Sequence, residues 1–174
     1  MRRKTQKQET ETVEIAEPET ENLVSGGSLP LDVKSRLIVG LIFQGWIGIA
    51  FWMSFGLLNE GLIGFRIPAY IADDVRRELF RLAHAHGTLL SLMLLVAAFS
   101  INRLTLDWPA LGIWALRIGV VMLPLGFLLG GIWHFKGDPG LGVWLVPPAA
   151  LLVIFGAITM ALAFLQQGRV TSDK

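Results

Sequence analysis

The sequence contains no cysteine. That absence excludes disulfides, thiolate nucleophiles and cysteine-held metal or iron–sulfur sites, and it leaves the redox compartment open. Charge is scarce as well. Acidic and basic residues make up 17% of the chain and the net charge is +1, so no concentrated basic face exists for nucleic acid, which is excluded as a partner. There is no phosphate-binding Gly-Lys-Ser/Thr loop, no Gly-x-Ser-x-Gly elbow and no His-Glu-x-x-His helix. What the chain has in quantity is apolar surface: 53% of its 174 residues are hydrophobic and its mean hydropathy is +0.57. A soluble domain of this size could not hide so much, and the bilayer is the solvent the composition implies.

Residues 1–35 stand apart, rich in Glu, Thr and Gln and poor in large apolar side chains. Such a segment cannot bury enough surface to offset its ordering entropy and reads as a disordered tail. The remainder, 36–168, reads as a four-span transmembrane domain, with spans at about 37–58, 82–101, 111–135 and 141–165, before a short C-terminal tail over 169–174. The second span continues a helix that starts outside the membrane near Asp73. Pro109 suits the first turn of the third span. Gly137, Asp138, Pro139 and Gly140 form a tight turn that makes the third and fourth spans antiparallel neighbours. The fold class is therefore all-α, a four-helix transmembrane bundle.

Orientation follows from the bias of Lys and Arg. With both termini in the cytoplasm, ten basic residues lie inside and five outside (Arg66, Arg76, Arg77, Arg81 and Lys136). Trp108 and Trp114 at one level, and Trp52, Trp133 and Trp144 near the other, suit two aromatic belts. Small residues mark packing faces: Gly40, Gln44 and Gly48 in the first span, Gly126 and Gly130 in the third with His134 on the same stripe, and Ala150, Ala157 and Ala161 in the fourth. Pro124, Pro147 and Pro148 are positions where spans could kink. On the second span, Arg77, Arg81, His84, Gly87, Thr88, Ser91, Leu95, Ala98 and Asn102 share a small, polar face predicted to look into the bundle. Leu79, Leu82, His86, Leu90, Met93 and Ala97 form the opposite face, predicted to look mostly toward lipid.

All three histidines, His84, His86 and His134, fall at one end of this bundle, the outer end in the assigned topology. Ionisable groups at membrane depth are costly and mark functional candidates. Imidazoles there could ligate a b-type haem or another metal, or relay protons; they could equally be interfacial residues bonded to water and backbone carbonyls. Glu60 could orient an imidazole as a supporting carboxylate. Arg77 and Arg81 could bind lipid headgroups or an anionic ligand, or simply anchor a solvated helix. Arg117 is expected to snorkel to the cytoplasmic surface, with pairing to Gln44 as the alternative.

The stretch His86-Gly87-Thr88-Leu89, opening an apolar helix, resembles the second helix of haem-copper oxidase subunit I. In that family a His-Gly pair supplies a ligand to the low-spin haem, a role the resemblance would give to His86. The chain lacks the family's many further helices and histidines, which excludes an oxygen-reducing centre. The run RRELFRLAHAHGTLL, with Gly131-Ile132-Trp133-His134-Phe135 and Gly137-Asp138-Pro139-Gly140 after it, is similar to small uncharacterised bacterial four-helix integral membrane proteins. That likeness implies a bacterial inner membrane and supplies no function. The reading favoured from these residues is a non-enzymatic accessory or assembly subunit, with the lipid bilayer and either a larger membrane complex or further copies of the chain as partners. The competing reading is a small electron-transfer protein holding a b-type haem through His134 and His84 or His86.

Overall fold

A computed structural model describes residues 31–104, 110–135 and 137–172. Four helices in it are long and apolar enough to cross a membrane, and the chain is a multi-pass, all-helical membrane protein. They are α1 (Leu31–Gly64), α3 (Asp74–Arg103), α4 (Ala110–Ile132) and α5 (Val146–Ser172), the last entered through a 3₁₀ turn at Leu141–Leu145. A four-residue helix, α2 (Pro68–Ile71), links α1 to α3. The expected disorder of residues 1–30, Trp108, Pro109 and Lys136 all lie outside the described residues. Within them, α1 begins at Leu31, six residues before the predicted span and inside the predicted tail, and α5 continues past Arg169.

The helices pack in a row in the order α1, α3, α4, α5, so α3 and α4 are central while α1 and α5 each rest on one main neighbour. Their lipid-facing sides are broad and apolar: Phe43, Ile47, Phe51 and Leu57 on α1, and Leu151, Ile154, Ile158 and Leu162 on α5, are all more than half exposed. The central position of α3 overturns one expectation. The face with Leu79, Leu90 and Ala97 does not look toward lipid but is buried against α4, and His86 stacks on Phe127 with ring centroids 5.1 Å apart. The opposite face, with His84, Gly87, Ser91 and Leu95, meets α1 as expected. Lipid is left the third side, where Leu89, Leu92, Val96 and Phe99 are exposed.

Small residues set how closely the rows approach. On α4, Gly112, Gly119 and Gly126 recur every seven residues and receive Thr159, Val153 and Val146 of α5. That is the period at which two supercoiled helices meet repeatedly. On α1 the buried stripe is Leu41, Gly45, Trp52, Gly56 and Asn59, so Gly40 and Gln44 turn to its edge. Trp52, expected at a membrane interface, is instead 6% exposed in the α1–α3 seam. On α5 the predicted alanine stripe also rotates: Ala149, Gly156 and Ala163 are buried, whereas Ala157 and Ala161 are exposed.

Helix ends are satisfied by neighbours, as buried backbone polar groups require. At the end of α4, Leu129 O accepts from Trp133 N, Gly130 O from Gly140 N, and Gly131 O from Arg76 Nε. At the end of α3, Arg103 O accepts from Gln167 Nε2 and Leu104 O from Lys34 Nζ, cations and donors where the helix dipole is negative. Pro147 and Pro148 fall in the first turn of α5, where a missing N–H costs nothing, and therefore open that helix rather than kink it. The Gly137–Gly140 turn is present as expected, with Gly137 at φ +94° and Asp138 N donating to Phe135 O at 2.9 Å.

Candidate functional site

The polar groups at this end of the fold gather around Asp73. It caps α3, its Oδ1 accepting from Arg76 N at 3.0 Å, as Asp at an N-cap should. Its Oδ2 accepts from His134 Nε2 at 2.8 Å and lies 3.6 Å from an Arg76 guanidinium nitrogen. The predicted continuation of α4 through His134 does not occur. The helix stops at Ile132, and the reverse turn after it swings His134 onto the start of α3. A carboxylate only accepts, so Nε2 must carry a proton. The His134 side chain is 9% exposed, and its Nδ1 is buried without a hydrogen-bond partner. Burial, the strongest influence on Asp73, would raise its pKa, but the Arg76 backbone N–H, His134 and the Arg76 charge together hold it below the ordinary carboxylate range.

Each of the other imidazoles has its own partner. His84 Nδ1 donates to Trp52 O on α1 at 2.7 Å, its ring lying on Gly56. His86 Nδ1 donates to Leu82 O of its own helix at 2.9 Å. Asp73 precedes His84 by eleven residues, about 16 Å of helical rise, so His134 and His84 do not face each other across a helix pair. Among the described residues no group of three or more His, Asp or Glu side chains could hold a metal ion. Glu60 is exposed, and the carboxylate that does meet an imidazole is Asp73. Arg77 bonds Asp74 and Ile71 O, and Arg81 lies 3.7 Å from Glu78, so both are engaged by the acids of their own helix.

Beneath this cluster runs a packed aromatic series, Tyr70, Phe80, Phe55 and Trp52, with successive centroids 5.2–6.2 Å apart. Tyr70 is buried, which pushes its hydroxyl pKa up, and that hydroxyl donates to Asn59 Oδ1 at 3.4 Å. The sequence signal for the Asp73–His134 contact was divided between two loops and lay in no motif. Arg117, expected to snorkel, takes the alternative: its Nε donates to Gln44 Oε1 at 2.8 Å, and Gln44 Nε2 donates to Arg117 O at 3.0 Å. No protein-family model matches the chain, and neither a curated protein nor a solved structure shows detectable similarity to it.

Proposed function

We propose that the chain is a non-enzymatic accessory subunit of a membrane complex, anchored with both termini in the cytoplasm of a bacterial cell. The observation that carries this reading is the outer side of α5. Ala157 and Ala161 make a small-xxx-small step that no helix among the described residues covers, flanked by exposed Ile154, Ile158 and Leu165. Small residues permit close helix–helix approach in lipid, where apolar surface alone gives no drive to associate. A photo-crosslinking amino acid at Ala157 or Ala161 is expected to give a discrete heavier product in native membranes, and at buried Ala163 none. With the crosslinking residue moved to exposed Ile158, Ala157→Leu with Ala161→Leu should abolish the product while leaving the solubilised chain monodisperse. Crosslinks to lipid alone would sink the proposal.

The electron-transfer alternative draws on one observation, the buried and unpartnered Nδ1 of His134, a nitrogen able to ligate iron. Protein purified with ample haem supply settles it. Reduced α-bands near the b-type positions, lost in His134→Ala, would favour that reading, and a featureless dithionite-reduced spectrum would retire it.

A further inference from the structure

A second polar centre lies far from the histidines. Arg117 stands seven residues after Ala110, about 10 Å into α4, and so within the hydrocarbon thickness of roughly 30 Å. Its Nε is taken by Gln44, and its guanidinium carbon lies 4.8 Å from the centroid of the Trp114 ring. Among the described residues no carboxylate pairs with it. Its two Nη groups pass over Gly40, where a Cβ would stand 3.4 and 3.5 Å from them. A Cβ there would make ordinary van der Waals contact, so the fork lies flat against the α1 backbone. An arginine at such depth is expensive unless something compensates its charge.

The fork opens on a cavity of about 490 Å³ between α1 and α4. Along α1 this groove runs from Gly40 to Trp52, twelve residues or roughly 18 Å. Its one charged group, Arg117, lies at one end with Gln44 and Phe43; farther along come Phe51, Val121 and Leu125, and the Ser91 hydroxyl that also lines it is already spent on Gly87 O. Phe43, Phe51 and Val121 are 67, 54 and 43% exposed, so the groove is open toward lipid along its length. Because α1 and α4 run parallel, its polar end lies nearer one membrane surface and its apolar end, with Leu125 about 22 Å into α4, runs just past the midplane. That is the polarity of a lipid within one leaflet.

We infer that this groove binds a long-chain carboxylic acid as its carboxylate, held end-on by Arg117 Nη1 and Nη2 with the alkyl chain along Phe43, Phe51, Val121 and Leu125. Planar guanidinium and carboxylate match as a two-bond pair, and the anion supplies the counter-charge that no carboxylate among the described residues gives. A two-chain phospholipid is too large for this volume, and its headgroup would have to leave the surface to reach Arg117. A single-chain acid brings only a compact carboxylate below the surface, where Arg117 supplies its counter-ion. The aliphatic length of the groove accommodates its chain in an extended form.

The test uses the full-length protein in liposomes and palmitate bearing a diazirine in its chain, with crosslinks mapped by mass spectrometry. Label is expected on α1 near Phe43–Phe51 and on α4 near Val121–Leu125. Unlabelled palmitate should displace it, while hexadecanol and phosphatidylglycerol should not. Arg117→Gln should weaken half-saturation about tenfold or more, and Arg117→Lys should retain part of the binding. Val121→Trp fills the groove one turn along α4 from Arg117 while keeping the arginine, and should abolish label with the elution profile unchanged, which decides the matter if Arg117→Gln fails to fold. Equal displacement by hexadecanol, displacement by phosphatidylglycerol, label spread evenly over lipid-facing α5, or Val121→Trp labelled like the wild type would each overturn the proposal.

Discussion

Gly87→Ala is expected to loosen α1 from α3 by about 1–3 kcal/mol, the usual cost of forcing extra volume into a packed seam. A Cβ at Gly87 would stand 2.3 Å from the Trp52 indole, and that indole is rigid, 6% exposed and edge-on to both Phe51 and Phe55. The seam is reciprocal: Trp52 of α1 sits on Gly87 of α3, and His84 of α3 sits on Gly56 of α1, where a Cβ would lie 2.3–2.8 Å from the imidazole. The same shift would strain the 2.7 Å bond from His84 Nδ1 to Trp52 O. Unfolding in mixed detergent micelles would measure the loss. Trp52→Leu should remove most of the penalty of Gly87→Ala, so that the two changes are strongly non-additive. A cost below a few tenths of a kcal/mol for Gly87→Ala, or strict additivity, would refute the interlock.

Asp73→Ala carries the other large effect, about 2–4 kcal/mol from a lost helix cap and a buried imidazole with neither nitrogen bonded. Two readouts separate this from general damage. Adding His134→Phe to Asp73→Ala should restore part of the loss, because an apolar ring leaves no orphaned donor. The pH dependence has a defined sign. The carboxyl of Asp73 is held below its ordinary range in the fold, so its contribution is complete above the unfolded carboxylate value. It disappears as pH falls through the lower, folded one. Asp73→Asn should flatten that acid limb. Unchanged acid unfolding in Asp73→Asn would count against the cluster.

The four spans were readable because twenty apolar residues in a row have few other homes, and the Gly137–Gly140 turn because only certain residues make one. The faces of α3 were half readable. Helical periodicity separated His84 and Ser91 from Leu79 and Leu90, but in a membrane an apolar residue is equally content against lipid or against a helix. Hydropathy therefore could not reveal that Leu90 and Ala97 meet α4. Arg117 and Gln44 were recognised as possible partners, yet choosing between pairing and snorkelling needed the crossing of α1 and α4. The Asp73–His134 cluster was least legible. Its placement depends on α4 stopping at Ile132, and Asp73 and His134 are 61 positions apart, joined by no local signal. The seven-residue spacing of Gly112, Gly119 and Gly126 was in plain view and would have marked the α4–α5 seam.

The serial order of the helices has a bearing on how the protein is made. Apart from the Gln44–Arg117 and Arg103–Gln167 bridges, the main seams join spans that follow one another along the chain. A nascent chain inserted helix by helix therefore meets each main neighbour as soon as it leaves the insertion machinery. No earlier helix pair has to part to admit a later one. Such a topology keeps loop closure local and assembly fast, and it lets the hairpin of α4 and α5 join last.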